Sequence, residues 1–131
     1  MKISLSGNFE ARKAAALAEI DRRAEAARLA QITDGAGQSL TYQRKLAEAL
    51  DLDGGGPGPW PHLTAEVGVT GPDEASVAAV IIAQNNAWVA ASAQIEGLRM
   101  AAKKQAREAT TQTQLDTARA VDFTIQETEN V

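Results

Sequence analysis

The side chains best suited to chemistry lie around His62, which is the only histidine in the chain. A metal site would need further ligands, and the nearest carboxylates in the sequence are Asp51, Asp53 and Glu66. Their spacing matches no calcium-binding loop, and a chain without cysteine offers no thiolate ligand for zinc. We therefore predict no metal site and interpret His62 as a surface or packing residue.

The stretch DGGGPGPWPHLTAEVGVTG, residues 53–71, contains most of the ten glycines and three of the four prolines. Phosphate-binding loops also use glycine, but this stretch lacks the P-loop lysine and follows no predicted strand. The prolines at positions 57 and 59 also lack the amide hydrogens with which such loops bind phosphate. Scattered serines with one histidine predict no Ser-His-Asp triad. We expect no catalytic residue, no cofactor, no small-molecule substrate and no enzymatic activity.

The two tryptophans could stack on a ligand or bind a partner protein. Trp88 lies on the apolar seam of a predicted long helix, so core packing is the preferred interpretation. Trp60 stands between two prolines, where it either folds back to anchor the loop or faces a partner. We include Trp60 among the candidate partner-binding residues.

The composition favours a small, weakly stabilised helical domain. The 131 residues include 27 alanines and five aromatic residues, so much of the apolar content is small. Alanine buries little area, which predicts modest stability for the isolated chain and help from a partner. The net charge of −4 argues against nucleic-acid binding. The longest apolar run, residues 77–83, is too short to cross a membrane.

The helices that we expect cover about 9–31, 39–50, 61–67, 72–108 and 111–121, followed by a polar tail at 124–131. Leu17, Ile20, Ala24 and Ala27 form a narrow apolar stripe on the first, where Glu19 is spaced to pair with Arg23. Residues 53–59 should end the second helix in a loose reversal, while Trp60, Leu63 and Val67 recur at helical spacing. Thr110 or Thr111 should cap the last helix, whose inward residues would be Leu115, Ala118, Val121 and Phe123. On the second helix, Tyr42, Leu46, Ala49 and Leu50 share a face.

The long helix has the most regular pattern in the chain. Its apolar seam steps by four and three residues through Val77, Ile81, Gln84, Trp88, Ala91, Ile95, Leu98, Ala102 and Gln105. Such heptads are typical of a coiled-coil seam. Pro72 should lie in its first turn, with Gly71 or Thr70 as the cap, and the cations Arg99, Lys103, Lys104 and Arg107 should form a solvated helix end. We expect a mainly α fold in which this helix packs antiparallel to the first one, with two or three short helices added.

The opening residues MKISLSG alternate between apolar and polar types, which is typical of a half-buried strand. Met1, Ile3 and Leu5 would form its apolar face. Two interpretations remain open for residues 1–7: a frayed arm, or an edge strand that pairs with another chain. In the second interpretation these three residues are partner-binding residues.

Several segments together resemble a known type of domain. These are "AEIDRRAEAARLA", "TYQRKLAEAL", a Pro/Gly loop with "WPHLTAEVGVTG", "VAAVIIAQNNAWVAASAQIEGLRMAAKKQ" and "REATTQTQLDTARAV". The pattern over residues 11–123 resembles the small alanine-rich helical domain of bacteriophage and prophage tail-fibre and tail-associated proteins. The resemblance implies no catalytic residue and no cofactor. It implies core positions at Tyr42, Leu46, Leu63, Trp88 and Ile95.

The resemblance leads to three functional hypotheses. The first is a phage virion structural protein: a small accessory component of the tail, fibre- or baseplate-associated, that packs against other tail proteins or against itself. Such a protein would be made in the cytoplasm of the bacterial host and would reside in the virion. The second is a tail or fibre assembly chaperone that is absent from the mature particle. The third is a small bacterial helical adaptor unrelated to phage.

Overall fold

The computed structural model describes residues 5–31 and 36–125, with side chains for 8–31 and 39–125. This part of the chain is mainly α, as expected. Its helices are α1 (Leu5–Leu29), α2 (Ala36–Asp53), α3 (Pro61–Glu66), α4 (Glu74–Glu108) and α5 (Gln112–Arg119). Across the described ranges, β-type pairing is limited to one isolated bridge between Val67 and Gly71.

α1 begins at Leu5, whereas most of the predicted arm or strand over 1–7 falls on residues 1–4, which lie outside the described residues. Met1 and Ile3 lie outside the described residues. The run of alanines that follows has high helix propensity, and a helix that has formed extends readily into adjoining residues. This is the physical reason why residues 5–7 join the helix and do not form the end of a strand.

Short side chains cap α4 and α5. Asp73 accepts the backbone amide of Ser76 at 2.7 Å, so it is the N-cap of α4 and Pro72 lies just before the helix. The predicted cap at Gly71 or Thr70 is therefore wrong by two to three residues. At α5 the predicted cap at Thr111 is confirmed, with a reciprocal capping box to Gln114. The hydrogen bonds to Ser76 also hold the pKa of Asp73 below its usual value.

The described residues divide into two compact units, which we name by their place in the chain. Of the described residues, 5–31 and 91–125 form the terminal unit, and 36–90 form the central unit. Residues 74–90 of α4 belong to the central unit and residues 91–108 to the terminal unit.

In the terminal unit, α1 and the second half of α4 run antiparallel. Lys13 bonds to the carbonyl of Arg107, whereas Arg28 pairs with Glu96, so residue numbers rise on one helix as they fall on the other. The core between them is rich in alanine, and its largest fully buried residues are Ile20, Ile95 and Leu115. The predicted antiparallel packing of the first and long helices is confirmed here.

The core of the central unit is smaller. Its buried residues are Ala49, Leu63, Val77, Ala78 and Ile81. Leu63 and Ile95 are buried as predicted, but Tyr42, Leu46 and Trp88 are only partly buried. Leu50 does not face inward, since it is 53% exposed.

The heptad seam of α4 is confirmed over part of its length. Val77, Ile81, Ala91, Ile95 and Ala102 are buried, whereas Gln84 and Gln105 are exposed. Ala106 is buried in place of Gln105. A straight helix of 3.6 residues per turn drifts away from a 3.5-residue repeat, which shifts the buried position by one residue.

Candidate interaction surface around Trp60

A polar stripe on α2 holds the glycine- and proline-rich segment that follows it. Lys45, Glu48 and Asp51 are spaced three residues apart, which places them along one side of the helix. Each contacts a different part of residues 56–71. The sequence analysis missed this stripe, although the i, i+3, i+6 spacing of the three charged residues was visible.

Asp51 anchors the tryptophan loop. Its Oδ2 accepts the indole Nε1–H of Trp60 at 2.8 Å and the amide of Gly58 at 3.2 Å. The Trp60 side chain also packs against the central core and is half-buried. Of the two interpretations left open for Trp60, the structure therefore supports the loop anchor, and the remaining exposed part of the residue is available to a partner.

Glu48 holds the start of α3. Its Oε1 accepts the amides of His62 at 2.7 Å and Leu63 at 3.3 Å. Its Oε2 lies 2.5 Å from Nδ1 of His62, and because a carboxylate can only accept, Nδ1 carries the hydrogen. His62 is thus a packing residue with one polar partner, and Glu48 satisfies the free amides that a helix start leaves unpaired.

Lys45 holds the far end of α3. Its Nζ lies 2.6 Å from Oε2 of Glu66, and the hydroxyl of Thr70 donates to Oε1 of the same carboxylate at 2.5 Å. The lysine, and then the threonine, hold the pKa of Glu66 below its usual value. Glu66 therefore stays ionised at neutral pH and ties the turn after α3 to α2.

The glycines after α2 form an ordered turn, which corrects the expectation of a loose reversal. Gly55 has φ +80°, in the left-handed region that favours glycine, and the amide of Gly56 donates to the carbonyl of Asp51 at 2.7 Å. A Cβ on Gly56 would lie 2.0 Å from Oδ1 of Asp51. The peptide between Gly58 and Pro59 is cis.

Exposed apolar residues lie beside this segment. Val69 is 85% exposed and Val67 is 39% exposed, so Val67 does not join Leu63 in the core as its spacing predicted. Both valines lie in the turn that Glu66 fixes, since the amides of Val69 and Thr70 donate to the carbonyl of Glu66 at 3.0 Å. The turn holds them in a defined conformation at the surface.

In the terminal unit, two cations of α1 close the ends of other helices. Lys13 Nζ donates to the carbonyl of Arg107 at 3.0 Å, near the end of α4. Arg23 donates to the carbonyls of Arg119 and Val121 at the end of α5, and its guanidinium lies 5.5 Å from the centroid of the Phe123 ring. The predicted pair between Arg23 and Glu19 is therefore wrong, because Glu19 pairs with Arg119 at 2.6 Å.

The predicted solvated basic end of α4 is correct only in part. Arg99 and Lys103 donate to the two oxygens of Asp21 at 2.8 and 3.0 Å. These bonds hold the pKa of Asp21 below its usual value, with Arg99 as the larger cause. Lys104, in contrast, is exposed and lies 3.7 Å from Glu108.

The structure brings together some of the predicted partner-binding residues and leaves others out. Trp60 lies in the surface described above. Met1 and Ile3 fall outside the described residues, and Leu5 is the first residue of α1. Ile125, predicted to belong to a polar tail, is partly buried against the terminal core; residues 126–131 lie outside the described part.

In the described part of the chain, no group of three or more potential ligands is arranged to hold a metal ion. Among the described helices, none combines the length and the apolar character that crossing a bilayer requires. Comparisons with protein-family models, with curated proteins and with solved structures found no match.

Proposed function

We propose that the protein is a structural component of a bacteriophage particle, a small accessory part of the tail that acts by packing against neighbouring proteins. It would be fibre- or baseplate-associated, made in the host cytoplasm and present in the virion. The phage context is supported by the resemblance of residues 11–123 to alanine-rich helical domains of tail-associated proteins. The mode of action is supported by the surface around Trp60.

The residues of that surface favour packing against a partner protein. A half-buried indole and two exposed valines lie on a segment that three side chains of α2 hold in place. Because the segment is already ordered, it loses little conformational entropy when a partner binds it. Aromatic residues fixed in this way are typical anchors of protein–protein interfaces.

Mass spectrometry of purified particles tests the proposal. We expect the chain in mature virions at a fixed ratio to the known tail proteins of the phage or prophage that encodes it. Its presence only in assembly intermediates would favour the chaperone hypothesis. Its absence from both would overturn the phage hypothesis in favour of a bacterial adaptor.

A substitution at Trp60 tests the proposed surface. Trp60→Ala should lower the amount of the chain incorporated into particles. Leu40→Ala is the matched control, because Leu40 is 65% exposed and belongs to the same unit. Circular dichroism must show that both variants keep their helices. Equal incorporation of the two folded variants would contradict a role for Trp60 in partner binding.

A further inference from the structure

Charge is distributed unequally between the two units. The described part of the central unit, residues 36–90, has six carboxylates against two cations, Arg44 and Lys45, so its formal charge is −4. The described part of the terminal unit, residues 5–31 and 91–125, has ten cations against eight carboxylates, so its formal charge is +2. The net charge of the whole chain conceals this asymmetry.

Four cations of the terminal unit lie together, and we call the surface that they form the basic end. It consists of Arg12, Lys13, Lys104 and Arg107. Arg12 and Lys13 both lie over the ring of Phe9, at 5.7 and 5.4 Å from its centroid. Lys13 also bonds to the carbonyl of Arg107, and Lys104 lies one turn before it on α4.

The basic end is not neutralised within its own unit. Two carboxylates, Glu10 and Glu108, lie close to it in sequence, and only Glu108 pairs with a cation there, Lys104. The side chains of Arg12 and Arg107 have no carboxylate within 4.0 Å among the described residues. Other acids of the unit are engaged elsewhere, for example Asp21 with Arg99 and Lys103.

The central unit has the complementary surface, which we call the acidic rim. Its members are Asp51, Asp53, Asp73 and Glu74. A chain of hydrogen bonds connects its two sides. Asp51 accepts the indole N–H of Trp60, the backbone amide of Thr64 donates to the carbonyl of Trp60 at 2.9 Å, and the Thr64 hydroxyl donates to Oε2 of Glu74 at 2.9 Å. Within the described ranges no lysine or arginine lies within 4.0 Å of these four carboxylates.

We propose that the basic end of one copy docks on the acidic rim around Trp60 of a second copy. This inference names the partner of the surface described under the proposed function, and it rests on that function for its role in assembly. The occupant is argued from charge complementarity, since the chain carries both surfaces. In the basic end only Lys104 has an ion-pair partner, Glu108, and the acidic rim has none among the described residues. The Phe9 side chain with its two cations would meet the half-buried indole, a pairing of cations with aromatic faces.

The contact is head-to-tail, so it leaves one free basic end and one free acidic rim after each addition. Such contacts build rings if the rotation closes and open chains if it does not. Charge pairs at the surface are individually weak and are screened by salt. Self-association should therefore require high protein concentration and fall as salt is raised.

Sedimentation velocity of the purified full chain tests the contact. We expect mass to rise with concentration at 20 mM salt and at least a tenfold loss of association at 500 mM. Arg12→Glu with Arg107→Glu, and separately Asp53→Lys with Glu74→Lys, should each reduce self-association at least tenfold. Mixing the second double variant with the wild type should still give mixed assemblies, because its basic end is intact.

The matched control is Arg22→Glu with Arg44→Glu. These two exposed arginines have no ion pair in the described residues, and their reversal changes the net charge by the same amount as reversal at Arg12 and Arg107. The control should associate more strongly than the variant at the basic end. Circular dichroism of each variant confirms that the helices persist.

Three results would overturn the inference. The first is a mass that stays that of the monomer at all concentrations in low salt. The second is a salt effect that does not depend on protein concentration, which would indicate a change within one chain. The third is equal loss of association in the control. Particle mass spectrometry is independent of all three, so failure of self-association is distinguishable from failure of the virion proposal.

Discussion

Replacing Leu63 by alanine tests how the central unit is held together. Leu63 has no exposed surface and lies in a core whose other large fully buried residues are Val77 and Ile81. The substitution removes three carbon atoms, worth roughly 2.4 kcal/mol in transfer free energy. A residual cavity adds to this, so we expect a loss of about 3 kcal/mol in the free energy of unfolding.

The matched control is the same substitution at Leu50, which lies on α2 in the same unit and is 53% exposed. It should change the free energy of unfolding by less than about 0.5 kcal/mol. Both tryptophans, Trp60 and Trp88, belong to the central unit, so fluorescence during urea unfolding reports on that unit. Equal losses of stability at the two positions would refute the assignment of Leu63 to the core.

Three further predictions concern polar contacts and glycines. Asp51→Ala should shift the tryptophan emission to longer wavelength and cost about 1–2 kcal/mol in urea unfolding, because the indole and a loop amide lose their acceptor, whereas Asp53→Ala should change little. The pKa of Asp21 is lowered in the folded state, so the ion pairs of this carboxylate stabilise the fold above the unfolded pKa of 3.8, and this stabilisation is lost as the pH falls below that value. Between pH 5 and pH 2, Asp21→Asn should therefore lose less stability than the wild type. An equal loss in both proteins would contradict the pairing of Asp21 with Arg99 and Lys103. Gly56→Ala should lower the melting temperature, because the added Cβ would clash with Asp51. Gly97→Ala should raise the melting temperature, because Gly97 lies in a helix with open space around it and alanine is the better helix former. The opposite order of melting temperatures would argue against the turn described at Gly56.

The helices could be predicted from the sequence because their signals are local. Alanine-rich stretches, the Thr111 capping box and the 3–4 spacing on α4 depend on residues a few positions apart. The ends were less predictable: α1 starts at Leu5 and α2 runs from Ala36 to Asp53, each longer than expected. Helix ends depend on which nearby side chain accepts the unpaired backbone amides. At the start of α4 that side chain is Asp73, although Gly71 or Thr70 was predicted as the cap.

The candidate surface could be predicted only in outline. The position of Trp60 between prolines indicated a residue with a special role, but left open whether it anchors the loop or faces a partner. Its bond to Asp51, nine residues away, decides for the anchor. No local rule pairs an indole with a carboxylate at that spacing, because the turn between them sets the distance.

The sequence alone determined the mainly α character of the chain, the order of its helices and most of the residues that face the two cores. These properties follow from backbone propensity and from the periodic burial of apolar side chains, which act over one or two turns. Only the tertiary structure decided the partners of the charged residues. Arg23 was spaced to pair with Glu19 on its own helix, yet it donates to the carbonyls of Arg119 and Val121 at the end of α5, where helical partners run out, while Glu19 pairs with Arg119.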